Sequence, residues 1–396
     1  MQGEPVSLEL TYANHQPDIA NVVIVGGGIM GMATAWTLAH NGVTGIVVIE
    51  QSELGSGSSA KPLGGVRANF SDPANIVLGK RSLAAYETFA DDFGVDIQLS
   101  KVGYLFVART EGELESLKAC AKAQQELGVD CRIITAAEAV RLNPLLSPTH
   151  ITGAIFSPND GHVKPSKVVE GYARACQELG VTILNHTQVL NIAVVDNAID
   201  SVTTNRGTIH APRVICAAGA WSQRIGEMVG QHLPVTAVRR LIGITPPIDG
   251  GHPTIPFTID LGSTMYFHNY GEGLLVGVSH PEEPSLCREF CYDWVQQFSE
   301  TAELIAPSLA NPALSGGWGG FYENTPDHNA MIGASESVQG FYYITGFSGH
   351  GLLQAPAAAE LLTDIYLGRE SFMDPAVWSA NRFADLDRLV QEVNII

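Results

Sequence analysis

The sequence predicts an α/β fold that opens with a Rossmann-type dinucleotide-binding unit. Three observations predict it: a short apolar run, a glycine turn opening an Ala/Leu-rich helix, and a second apolar run ending in an acid. Val22-Val23-Ile24-Val25 and Ile46-Val47-Val48-Ile49 are continuous apolar runs, the pattern of parallel strands covered on both faces. Between them Gly26, Gly28 and Gly31 fit G-x-G-x-x-G. Gly26 permits the tight turn, Gly28 leaves backbone room for a pyrophosphate, and Gly31 lets the helix lie close to the strands. Ile29 and Met30 then stand at the start of a helix running to His40, where free N–H groups and the positive dipole end favour an anion. Asn41-Gly42 tolerates the positive φ that ends such a helix. Glu50 follows Gly31 by 19 residues, placing its carboxylate, with Gln51 beside it, where ribose hydroxyls are held. No Arg follows to hold a 2′-phosphate, which argues against NADP.

Two later glycine clusters decide between NAD and FAD. One is Gly55-Ser56-Gly57-Ser58-Ser59, with Gly64-Gly65 after it; the other is Gly346-Phe347-Ser348-Gly349-His350-Gly351. A long cofactor with a flat tricyclic end needs close backbone approach at several places, and small residues allow it. The second cluster also sets a helix N-terminus against the ligand, where it favours negative charge on a reduced flavin.

The remainder of the chain reads as follows. At 396 residues the chain is long enough for two or three domains. Residues 1–20 read as a polar surface tail. Helices are expected at 75–93, 111–127, 136–142, 166–179 and 288–305, and strands at Tyr104–Val107 and Val181–Leu184. Residues 189–215 suggest a small antiparallel meander ending at Val214-Ile215-Cys216. Several strands fall in 235–280, and a Gly-rich stretch at 315–320 precedes the last strand, Phe341–Thr345, and a final helix at about 350–366.

Composition excludes some function classes. A net charge of −19 opposes nucleic-acid binding, which needs an excess of Lys and Arg. No apolar run reaches the ~18 residues of a membrane span, and the first residues lack a signal peptide; the expectation is a cytoplasmic protein. The cysteines 120, 131, 176, 216, 287 and 291 include no Cys-x-x-Cys pair and read as buried, reduced thiols. Only Cys287 and Cys291 are close, at helix spacing. His162, His280 and His328 show no metal spacing, so no metal is expected.

Further segments carry a family resemblance: Gly64-Gly65-Val66-Arg67 with Phe70; Gly103-Tyr104-Leu105-Phe106; Asp160-Gly161-His162; Val214 to Trp221; Tyr322-Glu323-Asn324-Thr325-Pro326-Asp327; and Gly346 to Gly351. With the N-terminal unit, they make the chain resemble the D-amino-acid oxidase superfamily of FAD enzymes. The branch it is most similar to holds sarcosine oxidase, the β subunit of heteromeric sarcosine oxidase and the β subunit of dye-linked L-proline dehydrogenase. The resemblance covers most of residues 21–370. It implies a Rossmann-type, glutathione-reductase-like FAD domain at roughly 1–92, 155–232 and 322–396. Interleaved with this is an α+β substrate domain, residues 93–154 and 233–321, on a mainly antiparallel sheet that roofs the flavin. It also implies FAD contacts at Val189, Gly219 and Trp221, besides Ser58, Ser59, Gly64, Gly65, Gly346, Ser348, Gly349 and Gly351.

Two departures from the family pattern matter. Gly320 stands where monomeric sarcosine oxidases carry a flavin-linking Cys, so FAD is expected to be non-covalent. Leu275 stands where those oxidases carry a Lys over the flavin. A cation there would stabilise developing superoxide, so a dehydrogenase is expected more than an oxidase.

Amine oxidation needs a fixed carboxylate, best held by a bidentate Arg. Arg67 is the first candidate, with Arg239 and Arg240 behind it. Tyr266 and His268, two apart on a strand, share a face and are expected over the substrate. His350 is expected to order the cofactor loop. The reading is FAD-dependent oxidation of the C–N bond of a small secondary amino acid such as proline, sarcosine or an opine. The alternatives are an oxidase making hydrogen peroxide and a β subunit relying on a partner that carries the next electron acceptor.

Overall fold

The computed structural model describes residues 10, 12–13, 15–61, 63–247, 251–279, 284–384 and 389–392. Its centre is a six-stranded sheet with the order Met331–Ala334, Phe341–Thr345, Val214–Cys216, Val22–Val25, Ile46–Ile49, Thr182–Leu184. All neighbours in it are parallel except the first pair. The run Val22–Val25 occupies a central position because both its faces are apolar: Val22 and Ile24 enter one core and Val23 and Val25 the other. That is the period-two pleat of a strand buried on two sides.

The helix Ile29–His40 leaves the sheet directly after the glycine turn. It packs against the helices Pro165–Glu178 and Gly351–Leu367. Its close approach to the first strand depends on Gly31, where a Cβ would fall on the Gly26 carbonyl oxygen. Gly26 takes a φ of +117° with its own missing Cβ against the Ala217 carbonyl.

A second sheet of eight strands has the order Gly316–Asn324, Thr236–Ile244, Gly273–Gly277, Tyr266–Tyr270, Phe257–Asp260, Tyr104–Ala108, Gly153–Ser157, Arg132–Ile134. It is antiparallel except between Tyr104–Ala108 and Phe257–Asp260. On one face Leu105, Phe267, Leu274 and Val276 pack with Phe298 and Ile305 of the helix Val295–Ile305. On the other face Phe106, Phe257, Tyr266 and Leu275 form a smaller cluster. The mixed α/β architecture with a mainly antiparallel second sheet is the one expected. The expected division points at 155 and 322 fall inside two strands of this second sheet, Gly153–Ser157 and Gly316–Asn324.

Some expected elements are corrected. Val214–Cys216 leaves the meander and joins the parallel sheet beside Val22–Val25; the meander itself is Val189–Val195, Ala198–Thr204 and Gly207–His210. Three residues of unbroken apolar character, Val-Ile-Cys, suit a doubly covered strand better than the alternating edge they follow. The Gly-rich stretch is itself strand, within Gly316–Asn324 and paired along its length with Thr236–Ile244. The helix expected from 288 begins only at Val295. Of the expected surface tail, residues 1–9, 11 and 14 lie outside the described residues, yet Leu10 and Ala20 are buried and Ile19 bridges to His210. Four cysteines are buried, whereas Cys287 is exposed and Cys291 half-buried.

The Gly31 contact is testable. Gly31→Ala is expected to lower stability by about 1–3 kcal/mol, the usual cost of overpacking, because backbone carbonyl and helix must separate. An unchanged melting temperature would show that the turn relaxes freely.

Candidate active site

A cavity with about 1880 Å³ of empty space, open solvent at its mouth included, lies at the carboxyl ends of the parallel strands. Val25, Gly26, Ile49, Glu50, Ala217, Ala218 and Ile344, which end or follow four of those strands, line it. Ligands of open α/β sheets bind at this end because the loops and helix N-termini converge there.

Most of the expected cofactor positions meet at this cavity: Gly26, Gly28, Ile29 and Met30 from the first turn; Glu50 and Gln51; Ser58, Ser59, Gly64 and Gly65; Val189, Gly219 and Trp221; and Gly349, His350 and Gly351. Glu50 anchors the first turn: its two carboxylate oxygens accept the N–H groups of Gly27 and Ser52, both at 2.9 Å. Burial raises its pKa, against those bonds and the charge of Arg288. Ser59 crosses from the Gly/Ser loop to accept the Ile29 N–H at 2.8 Å.

Three expected cofactor contacts do not line the cavity. Gly31 sits behind it, packed on Gly26. Gly346 is framework: a Cβ there would lie 2.5 Å from the Thr325 methyl. Ser348 is buried with its hydroxyl accepting the Thr325 N–H at 3.2 Å. These residues shape the turn so that Gly349, whose absent Cβ leaves room for the Tyr322 ring, presents His350 and Gly351 at the start of the final helix.

Arg67 lines the cavity and is buried, with 1% exposure. Its guanidinium donates to the Asn69 carbonyl and lies 4.2 Å from the Phe70 ring centroid and 6.0 Å from that of Tyr104. Distant segments hold its loop. Asp160 accepts the Ala68 N–H at 3.0 Å, Ser157 accepts from Asn69, Gln124 donates to Asn69 and Phe70, and Glu392 accepts from Ser71 and Asp72. Burial pushes the Asp160 carboxyl up to about 7.

Register separates the other two arginines. On the strand Thr236–Ile244, Arg240 and Ile242 line the cavity. Arg239 points the other way and donates to the Glu289 carbonyl at 2.7 Å. Arg240 lies 5.2 Å from the centroid of the Tyr322 ring. Tyr104, Tyr266 and Tyr322 complete this part of the wall, and burial raises the pKa of all three phenols. They are therefore neutral donors across the physiological range.

His268 does not reach the cavity lining, although it shares a face with Tyr266. Its ring stacks 4.4 Å from Phe257 and lies 5.0 Å from His162. Burial, then the His162 charge, depresses its pKa to about 3, so it is a neutral part of the packing. Leu275 is likewise off the cavity, fully buried with Phe257, Tyr266 and Ile242. Leu275 pairs with His268 and packs in the apolar cluster that also holds Tyr266 and Ile242, two residues that do line the cavity. Gly320 does line the cavity. His280 lies outside the described residues. Among the described residues, no group of three or more His, Cys, Asp or Glu is placed to hold a metal ion.

The sequence reading missed Lys61, Tyr104, Thr187, Gln188, Arg224, Arg288, Tyr322 and Glu323, all cavity residues. Tyr104, Tyr322 and Glu323 lay in segments already singled out, and Lys61 in the Gly/Ser loop. Arg288 carried no local signal. The ionisable lining is mostly cationic: Lys61, Arg67, Arg224, Arg240 and Arg288 against Glu50 and Glu323.

Comparison with known proteins agrees with this geometry. A family model described as FAD dependent oxidoreductase (DAO) matches residues 21–365. The chain is 28% identical to 4-methylaminobutanoate oxidase (formaldehyde-forming) of Paenarthrobacter nicotinovorans over 94% of its own length and 47% of that protein's. It is 26% identical to sarcosine oxidase subunit beta of Arthrobacter sp, covering 96% of this chain and 95% of that one. The crystal structure of L-proline dehydrogenase from P. horikoshii superposes with a TM-score of 0.88 at 30% identity, covering 93% of this chain and 99% of that one. The chain thus spans about half the length of the first relative and nearly all of the other two.

The cavity fits FAD on its own terms. Gly26, Gly28, Gly64, Gly65, Gly349 and Gly351 turn backbone without a Cβ to the cavity, the helix start offers N–H groups to phosphates, and cations outnumber acids in the cavity lining although the chain carries a net charge of −19. Among the described residues, no helix is long and apolar enough to cross a membrane.

Glu323 is a buried acid in this wall. One oxygen accepts the Phe347 N–H at 3.2 Å, and burial lifts its pKa to about 7 from an ordinary 4.5. The folded state therefore keeps a proton that the unfolded chain gives up near pH 4.5. This contribution to stability is complete below pH 4.5 and is lost as pH rises through about 7. Glu323→Gln is expected to make the FAD-free protein more stable at pH 8, by on the order of 1–3 kcal/mol relative to its effect at pH 4.5. Denaturant melts at the two pH values check it; a pH-independent difference contradicts it.

Proposed function

The chain belongs to the FAD dependent oxidoreductase family, and from that premise we propose that it oxidises the C–N bond of a small secondary or N-alkyl amino acid, such as proline, sarcosine or an opine. The observation that carries the reading is the joining of two guanidiniums, Arg67 and Arg240, with three neutral phenols, Tyr104, Tyr266 and Tyr322, in one part of the cavity wall. A carboxylate is the ligand such a wall suits. Two fixed cations bind it by charge-assisted hydrogen bonds, and buried phenols donate without adding negative charge. The relatives' names, a methylaminobutanoate oxidase, a sarcosine oxidase subunit and a proline dehydrogenase, support the same substrate class.

Bound FAD supplies a two-electron acceptor in the same cavity. The protein's part is placement. Arg67 is held by its buried loop and Arg240 by the ring of Tyr322, so a carboxylate between them leaves the substrate little rotational freedom, and such orientation supplies much of a rate enhancement. Tyr266 and Ile242 cover the wall and exclude water. His350, buried against the edge of the Phe70 ring at 5.1 Å between centroids, holds the turn before the final helix. The imine product is released if cyclic and otherwise hydrolyses to a carbonyl. No cysteine lines the cavity among the described residues, which supports non-covalent FAD. The β-subunit relative supports an assembly with a partner subunit.

Arg240→Leu and Arg67→Lys are each expected to raise KM for the best amino acid by an amount worth about 2–5 kcal/mol, with the flavin still bound. A screen of cyclic and N-alkyl amino acids, following flavin bleaching without oxygen, supplies that substrate. Wild-type KM in both variants would remove the carboxylate clamp.

A second reading, an oxidase, is favoured by one observation: Lys61 lines the cavity, with its pKa lowered by burial and by Arg288. A cation in the cavity can stabilise superoxide as it forms. Stopped-flow mixing of reduced enzyme with oxygenated buffer separates the readings. Slow reoxidation supports the dehydrogenase. Fast reoxidation that slows at least about tenfold in Lys61→Met, one electrostatic contact, supports the oxidase.

A further inference from the structure

The glycine run that precedes the Tyr322 segment has a structural purpose. Along the strand Gly316–Asn324, alternate glycines keep one face flat. A Cβ at Gly317 would strike the Phe290 ring, and one at Gly319 would lie 2.9 Å from the Arg288 carbonyl oxygen. On the opposite face a Cβ at Gly320 would lie 3.0 Å from the Lys61 Cβ. The second sheet therefore carries residues 288–290 directly on its glycine face, close to the loop of the first unit. The Trp318 indole, donating to the Lys61 carbonyl at 2.8 Å, ties the same strand to that loop.

This seat delivers Arg288 to the cavity. One arm of its guanidinium donates to the Ser56 carbonyl at 2.9 Å. Its carbon lies 5.3 Å from the Trp221 ring centroid and 5.0 Å from that of Phe321. The two rings and the carbonyl leave it little rotamer freedom. Among the described residues no carboxylate lies within ion-pair distance of it, and the acid that acts on it is Glu50, the residue that anchors the dinucleotide turn. A half-buried cation lining the cavity, held against the Ser56 carbonyl and two rings without a carboxylate at ion-pair distance among the described residues, suits an anionic ligand.

We propose that Arg288 is a cofactor-positioning residue: a clasp, carried by the second sheet, that holds the phosphate-bearing middle of FAD and slows its release. The clasp depends on the family's cofactor and not on the amino-acid reading, so a wrong substrate class leaves it standing. The segments it joins, residues 288–290 and the Gly/Ser loop at 55–59, are far apart in sequence.

The test uses FAD-free protein titrated with FAD, following quenching of flavin fluorescence, and release followed by its recovery on dilution. Arg288→Gln keeps a donor for the Ser56 carbonyl and removes the charge. It is expected to raise the FAD Kd about tenfold to a hundredfold, the loss of one charge-assisted contact, chiefly by faster release. The salt dependence of Kd should become flatter than in the wild type. Arg288→Lys should recover part of both effects. The melting temperature of the FAD-free protein should not move in either variant. A wild-type Kd and salt slope in Arg288→Gln would overturn the proposal. So would an FAD-free melting temperature that falls as far as that of the loaded protein, since Arg288 would then be a strut between the units.

Discussion

The contact between Gly31 and the Gly26 carbonyl is the constraint on which the rest of the structure depends. It lets the first helix lie against the first strand without a side chain between them, and so aims the helix's free N–H groups across the carboxyl end of the sheet. The loops after the second, fourth and last parallel strands then have one place in which to converge. Glu50 and Ser59 reinforce the arrangement by taking the N–H groups of Gly27 and Ile29. A helix start buried without such partners would carry unsatisfied donors; here Ser59 takes the Ile29 N–H, and Gly28 and Met30 line the cavity.

Electrostatics divides the molecule in two. The surface is acidic, while the cavity gathers five of the chain's 22 Lys and Arg residues against two acids. Cations collected in a poorly solvated cleft attract anionic ligands more strongly than the same residues spread over a surface. The protein bears the desolvation of Arg67 by surrounding it with the Phe70 face, a carbonyl and the nearby Asp160. Among the buried acids, burial raises the pKa of Asp160 and of Glu323 to about 7, which weakens the negative charge each carries near neutrality.

Much of the site was legible because it consists of local backbone requirements. Glycines that must lack a Cβ, an acid at a strand end and a helix start lie close together in sequence, so Gly26, Gly28, Glu50, Gly349 and Gly351 could be read directly. Side chains on the second sheet were harder. Arg239 and Arg240 are indistinguishable until pairing with Gly316–Asn324 decides which one faces the cavity. Tyr266 and His268 do share a face, but only one is near enough to the cavity; the other ends beneath Phe257.

The sequence by itself determined the first two parallel strands, the glycine turn, the class of cofactor and the family, since these depend on periodicity and on residues that tolerate close backbone contact. Only the tertiary structure decided that Lys61, Arg224 and Arg288 join Arg67 and Arg240, that the Gly-rich stretch is a strand and that Val214–Cys216 enters the parallel sheet. Those outcomes depend on pairing between segments up to hundreds of residues apart. A strand's partner and register are set by which faces can be buried together, a property of the assembled sheets and not of any one segment.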